Sequence, residues 1–240
     1  MNKSFIMNKS LGKLILVIIL CAGIFSLVGC ANSDAMKFKD EYEGLNGKTS
    51  SYGSKYRDVS IDKDNPFVYA SASDIVKMMD DNETFFVYFG DKQCPWCRSA
   101  IDKAIEVSKK YNVGTIYYVN IWDDEHNELL RDKYELDDEN KPKMVSAGTK
   151  EYKKLLKYFD NVLADYTLTD DEGNEVSVGE KRIFAPNFIY VKDGSAIKLV
   201  EGTSDVQKDA NAKLTDEMLK DEEKQFKTLF SLSKSCDKEC

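Results

Sequence analysis

Residues 84–101 read TFFVYFGDKQCPWCRSAI and place a Cys-x-x-Cys pair between two different periodicities. The residues before the pair, 84–89, are mostly aromatic and β-branched, a composition typical of a buried strand. After the pair, apolar residues from Ala100 to Val107 recur near helical spacing, with charges between them. The sequence therefore predicts that Cys94 and Cys97 lie where a strand ends and a helix begins.

A cysteine at a helix start lies beside unpaired amide groups and the positive end of the helix dipole, both of which stabilise its thiolate. Cys97 follows Cys94 by three residues, close enough for the two to form a disulfide. The pattern is typical of a redox-active centre in which Cys94 attacks a disulfide and Cys97 resolves the mixed disulfide. Trp96 is expected on the rim, as an apolar contact surface. A static structural disulfide is the alternative interpretation.

The first 29 residues have the pattern of a cleavable signal peptide. Lys3, Lys9 and Lys13 precede an apolar run that continues through Val28. Residues 27–30 read LVGC and resemble the lipobox of bacterial lipoproteins, which implies cleavage before Cys30 and lipidation of its sulfur. Acyl chains such as palmitate would then hold the protein on the extracytoplasmic face of the cell membrane. An uncleaved single-span anchor is the alternative.

The charge of the chain argues against two kinds of partner. It carries 34 Lys and Arg against 42 Asp and Glu, a formal charge of −8. Three lysines and no acidic residue precede Cys30, so residues 30–240 carry −11, from 31 basic and 42 acidic side chains. An acidic body without a basic stripe argues against nucleic acid as a partner and against binding of anionic lipid through the surface.

After the signal peptide of residues 1–29, the composition divides the chain into three parts. Residues 30–65 are polar and are interpreted as a lipidated N-terminus and tether, with Phe38, Tyr42 and Tyr56 able to dock on the domain. Residues 66–234 are predicted to form one domain, with an insertion at about 123–183 that has too few apolar residues for its own core. Residues 235–240 form a tail that contains Cys236 and Cys240.

Within the predicted domain, local patterns indicate the main elements. Strands are expected at 67–69 and 113–121, and the strand–helix–strand unit around the cysteines favours parallel pairing. Helical character is expected at 125–134 and 151–163, and a hairpin between 166 and 178. A second hairpin over 188–200 precedes an amphipathic helix over 214–232.

A second stretch, 184–194, reads FAPNFIYVKDG. Together with the strand leading into CPWC, it resembles the thioredoxin-fold family over roughly 67–232, apart from the insertion. The resemblance implies an α/β fold with a central mixed β-sheet flanked by helices, and a helical and hairpin insertion before the cis-proline strand. It implies that Pro186 is a cis-proline facing the cysteine pair, and that the backbone of Ala185 pairs with an extended substrate. Trp96, Ala185 and Pro186 are thus the expected substrate-binding residues.

More narrowly, the lipobox, the polar segment and FVYFG before CPWC resemble Gram-positive thioredoxin-like lipoproteins, some of which are labelled bacteriocin transport accessory proteins. Two positions depart from the thioredoxin pattern. The acid that thioredoxins carry six residues before the first cysteine is replaced by Tyr88, and the basic residue of the following strand aligns with Tyr118. Proton transfer is therefore expected to use water, Tyr88 or a surface group.

The resemblance implies a membrane-anchored thiol–disulfide oxidoreductase that exchanges disulfides with exported proteins or peptides. Reduction is the slightly favoured direction, and a membrane electron donor or acceptor is the expected second partner. No cofactor is expected. The alternative is a non-enzymatic accessory or binding lipoprotein on a thioredoxin scaffold, for example beside a peptide or bacteriocin exporter, with the insertion as its binding surface.

The remaining cysteines and the one histidine leave several alternatives open. Cys236 and Cys240 are interpreted as a terminal disulfide, as two idle thiols, or as a second dithiol that relays electrons to Cys94 and Cys97. The four cysteines could also hold zinc, but their spacing is unusual for such a site, so no metal is expected. His126 lies among acidic residues and is interpreted as solvated.

Overall fold

The computed structural model describes residues 33–51, 53–122 and 130–233. Cys30, His126, Cys236 and Cys240 lie outside the described residues, so the predictions of lipidation, electron relay, a terminal disulfide and a zinc site concern positions that the structure does not describe. Within the described residues the architecture is α/β, with a mixed five-stranded sheet and helices on both of its faces.

The described residues form five helices and nine strands. In chain order these are α1 (33–43), β1 (Phe67–Tyr69), α2 (Ala72–Asp80), β2 (Phe85–Gly90), α3 (Pro95–Lys110), β3 (Ile116–Asn120), β4 (Lys133–Leu136), β5 (Pro142–Ser146), α4 (Lys150–Tyr158), β6 (Ala164–Thr169), β7 (Glu175–Arg182), β8 (Asn187–Lys192), β9 (Ser195–Val200) and α5 (Asp216–Phe230).

The central sheet has the strand order β1-β3-β2-β8-β9. Strand β2 runs parallel to β3 and antiparallel to β8, so the predicted parallel pairing around the cysteine helix is confirmed. The register sets Tyr88 beside Tyr118 on one neighbour and beside Phe188 on the other. The ring of Tyr88 stacks on both, with centroids 5.3 and 4.2 Å apart.

Alternation along β2 divides the core into two layers, because successive side chains of a strand point to opposite faces. Phe86 and Tyr88 are buried on the face covered by α1, α3 and α5. Phe85, Val87 and Phe89 are buried on the other face, against α2 and α4. The strand that leads to Cys94 is thus apolar on both sides and lies in the middle of the molecule.

The segment predicted to be a polar tether contributes to the core instead. Helix α1 buries Ala35, Phe38 and Tyr42, and the ring of Phe38 stacks on Phe67 at 4.2 Å between centroids. These apolar positions are spaced i, i+3 and i+7, which places them on one helical face. Docking of Phe38 and Tyr42 is therefore confirmed, and residues 33–43 are part of the folded domain and not of a tether.

The described part of the insertion holds two hairpins, β4–β5 and β6–β7, on either side of α4. Helix α4 contributes Tyr152 and Leu155 to the same core as α2, which agrees with a segment that lacks a core of its own. The predicted helix over 125–134 is wrong at its end, because Lys133 and Tyr134 lie in β4. Over 33–51, 53–122 and 130–233, no helix combines the length and apolar character that crossing a membrane requires.

Candidate functional site

Cys94 caps helix α3, which begins immediately after β2 and its connecting loop. Its backbone is extended (φ −65°, ψ 118°), and its sulfur accepts a 3.4 Å hydrogen bond from the backbone N–H of Cys97. Pro95 occupies the first turn, where a missing N–H removes no intrahelical bond. The predicted placement of the pair between a strand and a helix is confirmed.

The two thiols have opposite tendencies to ionise. Cys94 is half-buried, and a hydrogen bond from the Cys97 thiol is the main factor that lowers its pKa, although burial opposes it. Cys97 is fully buried, and that burial raises its pKa well above the ordinary value, with the hydrogen bond to Cys94 and the negative charge there raising it further. Both cysteines are free thiols here. The arrangement gives one accessible nucleophile and one protected thiol behind it.

The loop before β8 lies against Cys94. The Ala185–Pro186 peptide bond is cis, as the resemblance implied, and the Cys94 thiol donates a 3.4 Å hydrogen bond to the carbonyl oxygen of Ala185. Asn187 holds this loop, since its side chain accepts a bond from the N–H of Phe184 at 2.7 Å and donates one to the carbonyl of Pro186 at 2.9 Å. Cys94, Ala185 and Pro186 therefore share one site.

Two cavities flank Ala185. The larger one, of about 510 Å³, opens beside Cys94 and Pro95, and the smaller one, of about 310 Å³, is lined by Trp96 and Pro186. The predicted substrate-binding residues are thus divided between two cavities that share only Phe184 and Ala185 in their walls.

Most of the residues in the wall of the larger cavity could not be predicted from the sequence. That wall comes from the segment after α1, from the end of β3 and from the insertion; its members include Ser50, Ser54, Tyr56, Ile121, Trp122, Arg131 and Arg182. Tyr56 is fixed by a 3.1 Å hydrogen bond to the side chain of Gln93, next to the cysteine pair. These residues are far apart in sequence, and only the fold brings them together.

Arg98, directly after Cys97, is also a residue that the sequence did not single out. Its guanidinium is fully buried and donates to the carbonyl oxygens of Arg57, Tyr42 and Lys92 and to the side-chain oxygen of Asn46. It therefore joins the cysteine helix, the loop before Cys94 and the N-terminal segment.

Behind the cysteines lies a set of buried tyrosines. The hydroxyls of Tyr88 and Tyr42 are 2.9 Å apart. The hydroxyl of Tyr118 is buried and makes no hydrogen bond within the described residues. Burial raises the pKa of all three phenols well above the ordinary value, so they are neutral at physiological pH.

No protein-family model matches the chain, and no curated protein is significantly similar to it. In the part of the chain that the structure describes, no three His, Cys, Asp or Glu side chains form a group that could hold a metal ion.

Proposed function

We propose that this protein is a thiol–disulfide oxidoreductase with a thioredoxin-like fold, anchored through lipid on Cys30 to the outer face of the cell membrane and acting on exported proteins. The observation that carries the proposal is the environment of Cys94. Its half-buried thiol caps a helix, has a lowered pKa and lies within hydrogen-bond distance of the Ala185 carbonyl beside a cis-proline. The mixed sheet, with the cysteine strand at its centre, supports the thioredoxin-like assignment.

In the proposed reaction the Cys94 thiolate attacks one sulfur of a client disulfide. A Cys94–client bond forms, the client S–S bond breaks, and the second client sulfur leaves with the electron pair and takes a proton from water. The Cys97 thiolate then attacks Cys94 and releases the first client sulfur, so two electrons pass from the dithiol to the client. A membrane electron donor would restore the dithiol; the reverse sequence oxidises the client.

The experiment uses the full-length protein and a peptide whose single disulfide joins a fluorophore to a quencher. We expect the wild type to release the fluorophore and C97A to accumulate a mixed disulfide through Cys94. C94S is the matched control and should do neither. A wild type that leaves the peptide intact, together with a C97A variant that traps nothing in cells, would overturn the proposal.

The larger cavity favours a second candidate, a non-enzymatic accessory or binding lipoprotein. Most of its wall comes from segments outside the strand and helix that carry the cysteines, which suits a surface that recognises a peptide. C94S separates the two candidates. An accessory role in peptide export should survive this substitution, whereas an exchange reaction should not.

A further inference from the structure

The smaller cavity lies directly beside the proposed exchange site. It has a volume of about 310 Å³, and Trp96, Ala185 and Pro186 are part of its wall. The carbonyl oxygen of Ala185 is also the group that accepts the 3.4 Å hydrogen bond from the Cys94 thiol. A client bonded to Cys94 would therefore place the residues next to its own cysteine against this cavity.

The wall of this cavity carries negative charge. Glu201 and Asp205, on the loop after β9, both line it, and both residues are exposed. Among the described residues that line the cavity there is no Lys, Arg or His. The Lys208 ammonium group donates to the backbone carbonyl of Asp205 at 3.0 Å, and within the described residues neither carboxylate makes a hydrogen bond or an ion pair. The two negative charges therefore remain available to a ligand.

A buried hydroxyl in the same wall lacks a partner. Ser204 lines the cavity and is only 4% exposed, and its hydroxyl makes no hydrogen bond within the described residues. Buried polar groups are nearly always paired, so an unpaired one requires an explanation. A hydrogen-bond donor that enters the cavity would supply the missing partner. The hydroxyl and the two carboxylates thus all suit a ligand that is a donor and carries positive charge.

Hydrogen bonds from two helices hold the loop that carries these acids. The side chain of Gln225, on α5, accepts a 3.0 Å bond from the N–H of Gly202 and donates one of 2.6 Å to the carbonyl of Thr203. The side chain of Gln207 donates to the hydroxyl of Ser99, on α3, at 3.0 Å. The loop is therefore fixed against the cysteine helix before a client arrives, which reduces the entropy lost on binding.

The larger cavity, on the other side of Ala185, has the opposite balance of charge. Lys55, Arg131 and Arg182 line it, and Asp91 is the one acid among its described lining residues. A cationic side chain of a client thus finds its complementary charges in the smaller cavity and not in the larger one.

We propose that the smaller cavity selects clients that carry a Lys or Arg side chain close to the cysteine that bonds to Cys94, with Glu201 and Asp205 as the specificity-determining residues. The inference rests on the proposed function and names its substrate class. The charged group of the client faces the two carboxylates, and its aliphatic stem packs against Trp96. Since an extended chain advances about 3.3–3.6 Å per residue, the basic residue lies within about three positions of the client cysteine.

The test uses the full-length protein and quenched disulfide peptides that differ at one position. Lys, Gln or Glu is placed in turn at each of the three positions on either side of the reactive cysteine, and kcat/KM is measured for each peptide. At the position that reaches the cavity, we expect Lys to be preferred over Glu by about 3- to 10-fold, the size expected for two ion pairs at a surface. The isosteric double variant E201Q/D205N should lose this preference.

The matched control is D171N/E175Q, which removes the same charge from the β6–β7 hairpin. Both residues are exposed there and line neither cavity. This variant should keep the preference of the wild type. Peptides that react equally well whatever their charge would overturn the inference, as would an equal loss of preference in the two double variants. Neither result would touch the proposed function, because the peptides would still be cleaved.

A second measurement does not depend on disulfide exchange. Cys94 is alkylated with cationic 2-bromoethylamine and with anionic iodoacetate, and mass spectrometry of the peptide that contains Cys94 gives each rate. The ratio of the two rates cancels any change in the pKa of Cys94. E201Q/D205N should lower this ratio about 3-fold or more, and D171N/E175Q should leave it unchanged. An unchanged ratio in E201Q/D205N would overturn the inference. A lowered ratio in a protein that cleaves none of the peptides would overturn the proposed function and still support a cation-selective cavity beside Cys94.

Discussion

The Nη1 atom of Arg98 donates a 2.8 Å hydrogen bond to the carbonyl oxygen of Tyr42, which lies 56 positions earlier in the chain. Through this bond the first turn of the cysteine helix is joined directly to helix α1. The same guanidinium reaches the carbonyl of Lys92 in the loop before Cys94. The N-terminal segment and the cysteine loop are therefore held by one buried cation.

We expect R98M to lower the free energy of unfolding by about 3 kcal/mol or more. Methionine retains the aliphatic stem but leaves several buried acceptors without a donor, at roughly 1–3 kcal/mol for each. The control is K109M on the same helix, which removes an exposed ion pair with Asp62 on the N-terminal segment. Such pairs contribute about 0–1 kcal/mol. Urea unfolding measures both, and equal losses in the two variants would contradict the prediction.

The pKa of Cys94 should depend on which donor stands at position 97. Because the hydrogen bond from the Cys97 thiol is the largest factor that lowers the pKa of Cys94, C97A should raise the pKa of Cys94. C97S retains a hydroxyl donor and should raise it less. The measurement is the rate at which iodoacetamide alkylates Cys94 against pH, followed by mass spectrometry of the peptide that contains Cys94, so that the other cysteines do not contribute. A midpoint in C97A at or below that of C97S would count against this assignment.

Glu222 should make the protein less stable as the pH rises toward neutral. Its carboxylate is buried on α5 without a hydrogen-bond partner within the described residues, and burial raises its pKa from 4.5 to about 7, despite Arg57 and Lys103 nearby. Between these two values the folded protein holds a proton that the unfolded chain releases, so stability falls as the pH rises through this window. We expect E222Q to be more stable than wild type at pH 8, by on the order of 2 kcal/mol, and nearly equal to it at pH 4.

The control for E222Q is the next residue along α5. Glu223 is only partly buried and pairs with Lys227 at 3.0 Å, and this hydrogen bond lowers its pKa. E223Q should therefore bring no gain in stability at pH 8. Thermal unfolding of both variants across pH 4 to 8 tests this comparison. If E223Q gained as much stability as E222Q, the gain would come from removing a negative charge in general and not from the burial of Glu222.

Alanine substitutions at Gly202 and Gly173 distinguish the cost of backbone strain from the cost of steric overlap. Both have a positive φ, +74° and +85°, which costs an L residue roughly 1–2 kcal/mol. A Cβ at position 202 would also overlap the ring of Phe226, whereas position 173 has nothing within 4 Å. G202A should thus lose clearly more stability in urea unfolding than G173A. Similar losses would mean that the Phe226 ring moves aside freely.

Local sequence was sufficient where a segment's own residues determine its structure. The hairpin β8–β9 turns through Asp193 and Gly194, both with positive φ, as the sequence Lys-Asp-Gly predicts. The strand into Cys94 and the helix after it follow from composition and periodicity in the same way. The cis bond at Pro186 could be predicted only from the resemblance to a family, because an Ala-Pro pair alone does not indicate a cis bond.

Local sequence was insufficient where burial depends on distant partners. The apolar stripe of α1 is short and diluted by charges, and its burial requires Phe67 on a later strand. Tyr134 lies in β4, and its ring packs against the ring of Tyr166 in the next hairpin, with the two centroids 5.8 Å apart. The cavity beside Cys94 is likewise assembled from separated segments, so its wall is a product of topology.

The docking of α1 limits the distance between the proposed lipid anchor and the folded domain. With lipid on Cys30, as proposed, three peptide steps lead to a helix that is packed into the domain, and they span at most about 11 Å. The short connection would then keep the reactive sulfur close to the bilayer surface. It would reach its partners by lateral diffusion of the anchored protein. Partners would meet it as they emerge from the membrane, before they travel into the surrounding wall or medium.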